Sequence, residues 1–130
     1  MVDGDAAGVL AVEARFYSAL RRLHADPEAL PELLALWSRG DDVSTRNARG
    51  GVERGGVAVR ERWTWWAGQG IPMDAEPVET LSCVVGTDLA CTTGLEYHSD
   101  RTLRVTHLYR RESGEWRLVL RHADPLAKRG

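Results

Sequence analysis

The chain has 130 residues, a length that fits one domain and needs no disulfide or metal to build a core. Its 43% apolar and 28% charged residues are ordinary for a globular protein, and a formal net charge of −2 provides no global field to attract nucleic acid or an anionic membrane. No run of about 18 apolar residues is present, so we expect no membrane span and no membrane partner.

The chain begins with a short acidic segment followed by an amphipathic pattern. Residues 1–8 lack the basic and apolar regions of a signal peptide, which predicts a frayed start and a cytoplasmic location. Apolar residues then recur in steps of three and four from Val9 to Leu23, while Glu13 falls mainly outside this stripe. The spacing predicts a first helix that buries one face.

Two further helices are predicted. Pro31 suits a first helical turn and Gly40 a C-terminal cap, so a second helix should lie between them. A third should run over residues 57–68, because apolar side chains there fall on one stripe. The stripe consists of Val59, Trp63 and Trp66.

The remaining segments predict β-strands. Residues 42–47 and 52–54 flank a glycine turn and indicate a short hairpin before the third helix. Four long strands closed by short turns follow that helix, which is the pattern of an antiparallel meander. The predicted strands cover residues 76–85, 89–98, 101–111 and 116–123.

The sequence offers no pattern typical of a cofactor site. Cys83 and Cys91 flank a predicted turn, and we expect two mostly buried thiols rather than a disulfide. No His or Cys lies at zinc-finger spacing, and the glycine pairs at 50–51 and 55–56 lack the strand-then-helix context of a phosphate loop. We therefore predict no metal, nucleotide or flavin.

Two segments resemble a known superfamily. Residues 33–63 are similar to the second-helix, hairpin and third-helix stretch of SnoaL-like proteins. Residues 104–125 resemble the last two strands, in which a basic doublet, a glycine turn, a Trp and a His recur. In this chain those residues are Arg110, Arg111, Gly114, Trp116 and His122.

The resemblance implies an α+β fold of the nuclear-transport-factor-2-like superfamily, in its SnoaL-like and ketosteroid-isomerase-like branch. A cone-shaped, curved antiparallel sheet would wrap around two to three N-terminal helices as one domain over residues 1–130, ordered over about 8–125. The concave face of such a sheet lines a pocket, and the convex face often packs against a second subunit. The superfamily includes isomerases, cyclases, hydrolases and non-enzymatic binders, so the function must be argued from the site.

Strand alternation selects which side chains face that pocket. We assign Glu96, Arg104 and Thr106 to the pocket. The turn at Ser99-Asp100 can contain two or three residues, and that single residue flips the pairing, so the opposite assignment stays open. A homodimer interface on the convex face is predicted to contain Leu95, Tyr97, Val105 and Tyr109.

Aromatic residues are the other pocket candidates. The helices carry four of them, which would form an aromatic wall against a cyclic ligand or serve simply as core. They are Tyr17, Trp37, Trp63 and Trp66. His107 would be a core histidine under the first strand assignment and a pocket base under the other.

Proton transfer would depend on Glu96 and on the strand end at His122 and Asp124. An imidazole beside a carboxylate is a plausible acid–base pair, although an edge histidine with an ordinary hydrogen bond explains the same spacing. An ion pair with Arg104 would hold Glu96 ionised. Two hypotheses follow. One is a protein that binds a small hydrophobic or cyclic molecule and acts on it by acid–base chemistry; the other is a non-enzymatic binding or dimerisation module.

Overall fold

The computed structural model describes residues 2–48 and 51–127. Its helices and strands follow one another in the order that the sequence predicts. Three helices come first, interrupted by a hairpin, and four long strands follow. The elements are α1 Val2–Arg22, α2 Ala29–Ala35, β1 Ser44–Arg46, β2 Val52–Arg54, α3 Gly56–Gly68, β3 Val78–Val85, β4 Leu89–Tyr97, β5 Thr102–Glu112 and β6 Glu115–Pro125. Helix α1 begins at Val2, earlier than the frayed start predicted from the sequence.

The strands form one curved, open six-stranded sheet in the order β2-β1-β6-β5-β4-β3. Strands β3 to β6 are antiparallel neighbours, and the β1–β2 hairpin docks on β6 at the edge. The pairing of β1 with β6 is parallel, so the sheet is mixed. The predicted α+β cone with a curved sheet is confirmed, and the antiparallel arrangement holds for the hairpin and for β3 to β6 but not for this junction.

Helix α1 fills the concave side of the sheet. Its apolar stripe from Val9 to Leu23 is buried, as its spacing predicts. Glu13 is also buried, which corrects its placement outside the stripe. Since Glu13 lies four residues from Val9 and from Tyr17, it shares their face of the helix.

Backbone irregularities bend the sheet. The register shifts in β3 between Thr80 and Ser82 and again where β6 pairs with β5, and each bulge adds one residue to one strand. At Gly94 a Cβ atom would lie 2.6 Å from the Glu79 carbonyl oxygen, so only glycine allows the strands to approach this closely. These bends wrap the sheet around α1 and leave a hollow at the wider end of the cone.

The turn between β4 and β5 determines which residues face inward. The His98 amide donates to the Arg101 carbonyl oxygen at 2.9 Å, so the turn contains two residues. Glu96 therefore pairs with Leu103, while Arg104 pairs with Leu95. Because directly paired residues share a face, Arg104 lies on the opposite face from Glu96.

The two cysteines do not face each other. Cys83 pairs with Thr92 and Cys91 with Val84, so the thiols lie on opposite faces of the sheet. Both are free, and burial raises the pKa of each thiol. Among the described helices, none is long and apolar enough to cross a membrane.

Candidate functional site

A cavity of about 380 Å³ lies at the wide end of the cone. It is bounded by α3, by the loop after α3, by the β4–β5 turn and by the inner face of the sheet. The lining residues that matter most for its chemistry are Asn47, Trp63, Trp66, Asp74, His98 and Arg121.

The helical side of the cavity is aromatic and apolar. Trp63 and Trp66 line it from α3, and Leu20, Met73 and Leu103 add aliphatic surface. Such walls favour a ligand with a flat or cyclic apolar body. The same two tryptophans also belong to the hydrophobic core.

A buried ion pair lies beside these walls, and its Arg121 is part of the cavity lining. Arg121 donates from Nη1 and Nη2 to the two oxygens of Glu96, at 2.6 and 3.1 Å. Tyr17 donates to one of these oxygens at 2.7 Å, and the Nε2 atom of His98 lies 2.9 Å from the other. Burial alone would raise the pKa of Glu96, but the charge of Arg121 and these hydrogen bonds hold it well below its usual range.

A second carboxylate lies behind the first. Glu13 Oε1 accepts from Thr92 at 2.5 Å and from Tyr109 at 2.8 Å, and His107 Nδ1 lies 2.9 Å away. On the other side of the imidazole, Nε2 lies 3.0 Å from Arg121 Nη1. Because a guanidinium can only donate, His107 Nε2 must accept, so this histidine is neutral and its proton lies on Nδ1.

The pKa values of this second group agree with that assignment. Burial lowers the pKa of His107, which keeps the ring uncharged. Burial raises the pKa of Glu13, but the hydrogen bonds from His107, Thr92 and Tyr109 outweigh it and lower the pKa overall. The two carboxylates are therefore ionised, and only Glu96 pairs directly with Arg121, because His107 lies between Glu13 and the guanidinium.

His98 links the buried network to the cavity. Since Glu96 is ionised, it can only accept, so His98 Nε2 carries a proton. When the ring holds no second proton, its Nδ1 atom carries the lone pair. Nδ1 lies 3.8 Å from Asp74 Oδ1, at the cavity wall. A carboxylate that fixes the tautomer of an imidazole next to a hollow is the arrangement used for general acid–base chemistry.

The structure places several of the predicted site residues in the interior but away from the cavity. Glu96, Tyr17 and His107 belong to the buried network but do not line the cavity. Trp37 is buried against Leu118 in the core and also lies away from the cavity.

Four predicted residues lie on the outer face, so their placement in the pocket is wrong. Arg104 and Thr106 line a separate outer groove together with His122 and Asp124. His122 Nε2 lies 2.8 Å from Asp124 Oδ2, as the spacing predicts, but the contact lacks hydrogen-bond geometry. Asp124 also approaches Arg46 Nε at 3.7 Å.

The residues predicted for the dimer interface also lie on both faces of the sheet. Leu95 pairs with Arg104 and therefore shares the outer face, and Tyr97 alternates with Glu96 to that side. Val105 and Tyr109 point inward instead and are buried. These two are corrected from interface to interior.

Arg121, His98 and Glu13 were not predicted as site residues. His98 could have been found, because it lies two residues after Glu96 and therefore on the same strand face. Arg121 could not, because the extra residue in β6 reverses the alternation before it. Among residues 2–48 and 51–127, no three His, Cys, Asp or Glu side chains are grouped as metal ligands.

The six-stranded cone with a hollow at its wide end defines a nuclear-transport-factor-2-like domain. A family model for the SnoaL-like domain matches residues 9–127, and the chain belongs to that family. No curated protein matches the chain.

Solved structures share the fold. A proposed dehydratase of the NTF2-like family from Streptomyces avermitilis is 20% identical, with a TM-score of 0.78 over 98% of this chain and 100% of that one. A proposed calcium/calmodulin-dependent protein kinase type II association domain from Thiobacillus denitrificans is 26% identical, with a TM-score of 0.72 over 90% and 94%. An NTF2-like protein of unknown function from Pseudomonas putida is 21% identical, with a TM-score of 0.73 over 98% and 91%.

Proposed function

We propose that the protein binds a small, mainly apolar cyclic molecule in the cavity and acts on it by general acid–base chemistry with His98 as the proton-transfer group. The observation that carries this proposal is the 2.9 Å contact between His98 and the ionised Glu96, with the imidazole exposed to the cavity. Glu96 takes the role of a positioning residue, because a carboxylate with so low a pKa is a poor base.

The size and lining of the cavity support binding. A volume of about 380 Å³ falls within the range of small-molecule sites, and two tryptophans supply most of a flat wall. The Streptomyces avermitilis relative is a proposed dehydratase, and dehydration requires a base to take a proton from carbon and an acid to protonate the hydroxyl group that leaves as water. At 20% identity this likeness shows only the fold, so the proposal of acid–base chemistry rests on the His98 geometry.

The test uses 5-nitrobenzisoxazole, an apolar bicyclic compound whose ring opens when a base removes one carbon-bound proton. We expect the protein to accelerate this reaction above the rate in buffer and His98→Gln to abolish the excess. His122→Gln is the matched control, because that imidazole lies on the outer face. Equal rates for the parent and His98→Gln would refute His98 as the base.

A second proposal concerns the outer face, which we assign to a second copy of the chain. Leu81, Val84 and Leu89 are 58%, 67% and 52% exposed there, beside the groove that contains Arg104. The Thiobacillus denitrificans relative is a proposed association domain, which agrees with assembly. This assignment holds both for an enzyme and for a non-enzymatic binding or dimerisation module. The cytoplasmic location stays a prediction.

Sedimentation velocity tests that assignment. We expect a dimer for the parent and a monomer for Val84→Glu, while Val57→Glu, at an exposed position on α3, leaves the dimer intact. A monomeric parent at every concentration would overturn it.

A further inference from the structure

The segment between α3 and β3 forms one side of the cavity mouth. Residues 71–74 all line the cavity, and all of them except the half-buried Met73 are exposed to solvent. A side chain that both lines a cavity and meets solvent lies at the opening. Ser99 and Asp100 of the β4–β5 turn line the cavity and are exposed as well, so the mouth lies between this turn and the segment.

Few contacts hold this segment in place. The backbone of residues 71–74 forms no hydrogen bond with the rest of the described chain. Asp74 Oδ1 lies 3.8 Å from His98 Nδ1, which is longer than a hydrogen bond. Within residues 71–74, Met73 alone packs against the hydrophobic core. A segment with so few buried contacts and hydrogen bonds moves at a low cost in free energy.

The two ends of the segment differ in how firmly they are held. Gly70 has a φ of +69°, which favours glycine, and a Cβ atom there would meet nothing within 4 Å. At the other end Ala75 is fully buried, and its carbonyl oxygen accepts from Arg21 Nε at 2.9 Å. The Glu76 amide then donates to the Tyr97 carbonyl oxygen at 3.0 Å. The part that can move is therefore residues 70–74.

Ile71 gives this movement a direction. Its side chain is 42% exposed although it lines the cavity. Over an empty cavity, an inward movement would leave this apolar surface against water. Over a bound apolar ring, the same movement would bury it, so a ligand favours the closed position.

We propose that residues 70–74 form a flap that turns about Gly70, is anchored at Ala75 and closes over a ligand in the cavity. Ile71 is the side chain that covers the ligand. The flap rests on the proposed function, because the cavity must bind a small molecule for closure to be favoured. It adds the step that removes His98 from water while the ligand is bound.

Methionine methyl NMR tests the flap, because the chain has two methionines, Met1 and Met73. Both methyl groups are labelled with ¹³C, and the loss of one signal in Met73→Leu assigns the flap. We expect relaxation dispersion at Met73 in the free protein, since flaps of this kind move in microseconds to milliseconds. It should disappear when 5-nitroindole, an apolar bicyclic probe, saturates the cavity.

The matched control is a methyl group on the opposite wall. Leu20 lines the same cavity from α1 and is 1% exposed, and Leu20→Met conserves its volume. The introduced methyl group should shift when 5-nitroindole binds but show no dispersion in either state, because its helix is packed. Dispersion of equal size at both positions would indicate motion of the whole cone and overturn the flap.

A substitution at the covering side chain tests the same idea by affinity. Ile71→Ser should weaken the binding of 5-nitroindole roughly five-fold, measured by quenching of tryptophan fluorescence. Val57→Ser is the matched control, because Val57 is 71% exposed on α3 and does not line the cavity. Its affinity should equal that of the parent.

The remaining outcomes separate the flap from the binding function. If 5-nitroindole binds but Met73 shows no dispersion, or dispersion that saturation does not change, the flap is overturned and the cavity stays a binding site. Equal affinities for Ile71→Ser and the parent overturn it in the same way. If 5-nitroindole does not bind to the parent at all, the proposed binding function fails, and the flap fails with it.

Discussion

Replacing Arg121 with Met should be the most damaging single change in the buried network. Glu96 is fully buried and receives two of its hydrogen bonds from Arg121, so the variant leaves a buried carboxylate with only Tyr17 and His98 as donors. Methionine fills similar space, which limits the packing loss. Breaking one side of a buried pair costs about 3–5 kcal/mol, a large share of the 5–15 kcal/mol that stabilises a typical domain.

The assay is urea unfolding followed by tryptophan fluorescence at pH 7. Arg104→Met is the matched control, because Arg104 lies exposed on the outer face of the same sheet. This substitution should change stability by less than about 0.5 kcal/mol. Adding Glu96→Gln to Arg121→Met removes the stranded charge and should recover part of the loss.

The pH dependence provides a further check. Without Arg121, the pKa of Glu96 rises, because burial is no longer outweighed by the guanidinium charge. The folded variant then binds this proton more readily than the folded parent does, so the loss of stability relative to the parent should shrink as the pH falls from 7 to 5. A loss no larger than that of Arg104→Met, or a double variant as unstable as the sum of the singles, would refute the account.

Two further predictions concern the backbone and the acid limit. Gly94→Ala should lower the unfolding free energy by about 1–3 kcal/mol in thermal unfolding, since its Cβ would meet the carbonyl oxygen of β3 at 2.6 Å. Gly68→Ala, with no atom within 4 Å of the added methyl, should be neutral or stabilising. Stability should fall as the pH drops below 6.5, because the unfolded chain protonates His107 before the folded one does, and more steeply below 4.5, where Glu13 and Glu96 behave likewise. A flat stability profile between pH 7 and 4 would contradict the ionisation states assigned to the network.

The element order was predictable from the sequence because each element has a clear period. Apolar steps of three and four identify α1 and α3, and the short turns separate the strands of the meander to within about two residues. The glycine and β-branched residues at 42–54 were enough to predict the hairpin. Its parallel docking on β6 was not predictable, because pairing between distant strands depends on the packed fold and leaves no local pattern.

Two local features, the length of one turn and one extra residue in a strand, decide which side chains face inward. A two-residue turn after β4 makes Glu96 share a face with Leu103 instead of Arg104. In β6 the register skips Val119, so Arg121 faces inward with Trp116 although simple alternation places them on opposite faces. The same bulge turns His122 outward. Both features change the face of every residue beyond them, which is why correct strand boundaries still led to a wrong pocket list.

The buried network also explains why this cone contains charges where packing alone would prefer apolar side chains. Replacing a buried ion pair with apolar residues of similar volume is often neutral or stabilising, so stability does not account for Glu13, Glu96 and Arg121. The network reaches the cavity through two side chains, His98 and Arg121. Glu96 holds both groups in place, because it binds the Nη1–Nη2 edge of the guanidinium and accepts the proton on His98 Nε2. Charged residues in the core thus position an imidazole and a guanidinium beside the same cavity, an arrangement that apolar packing cannot provide.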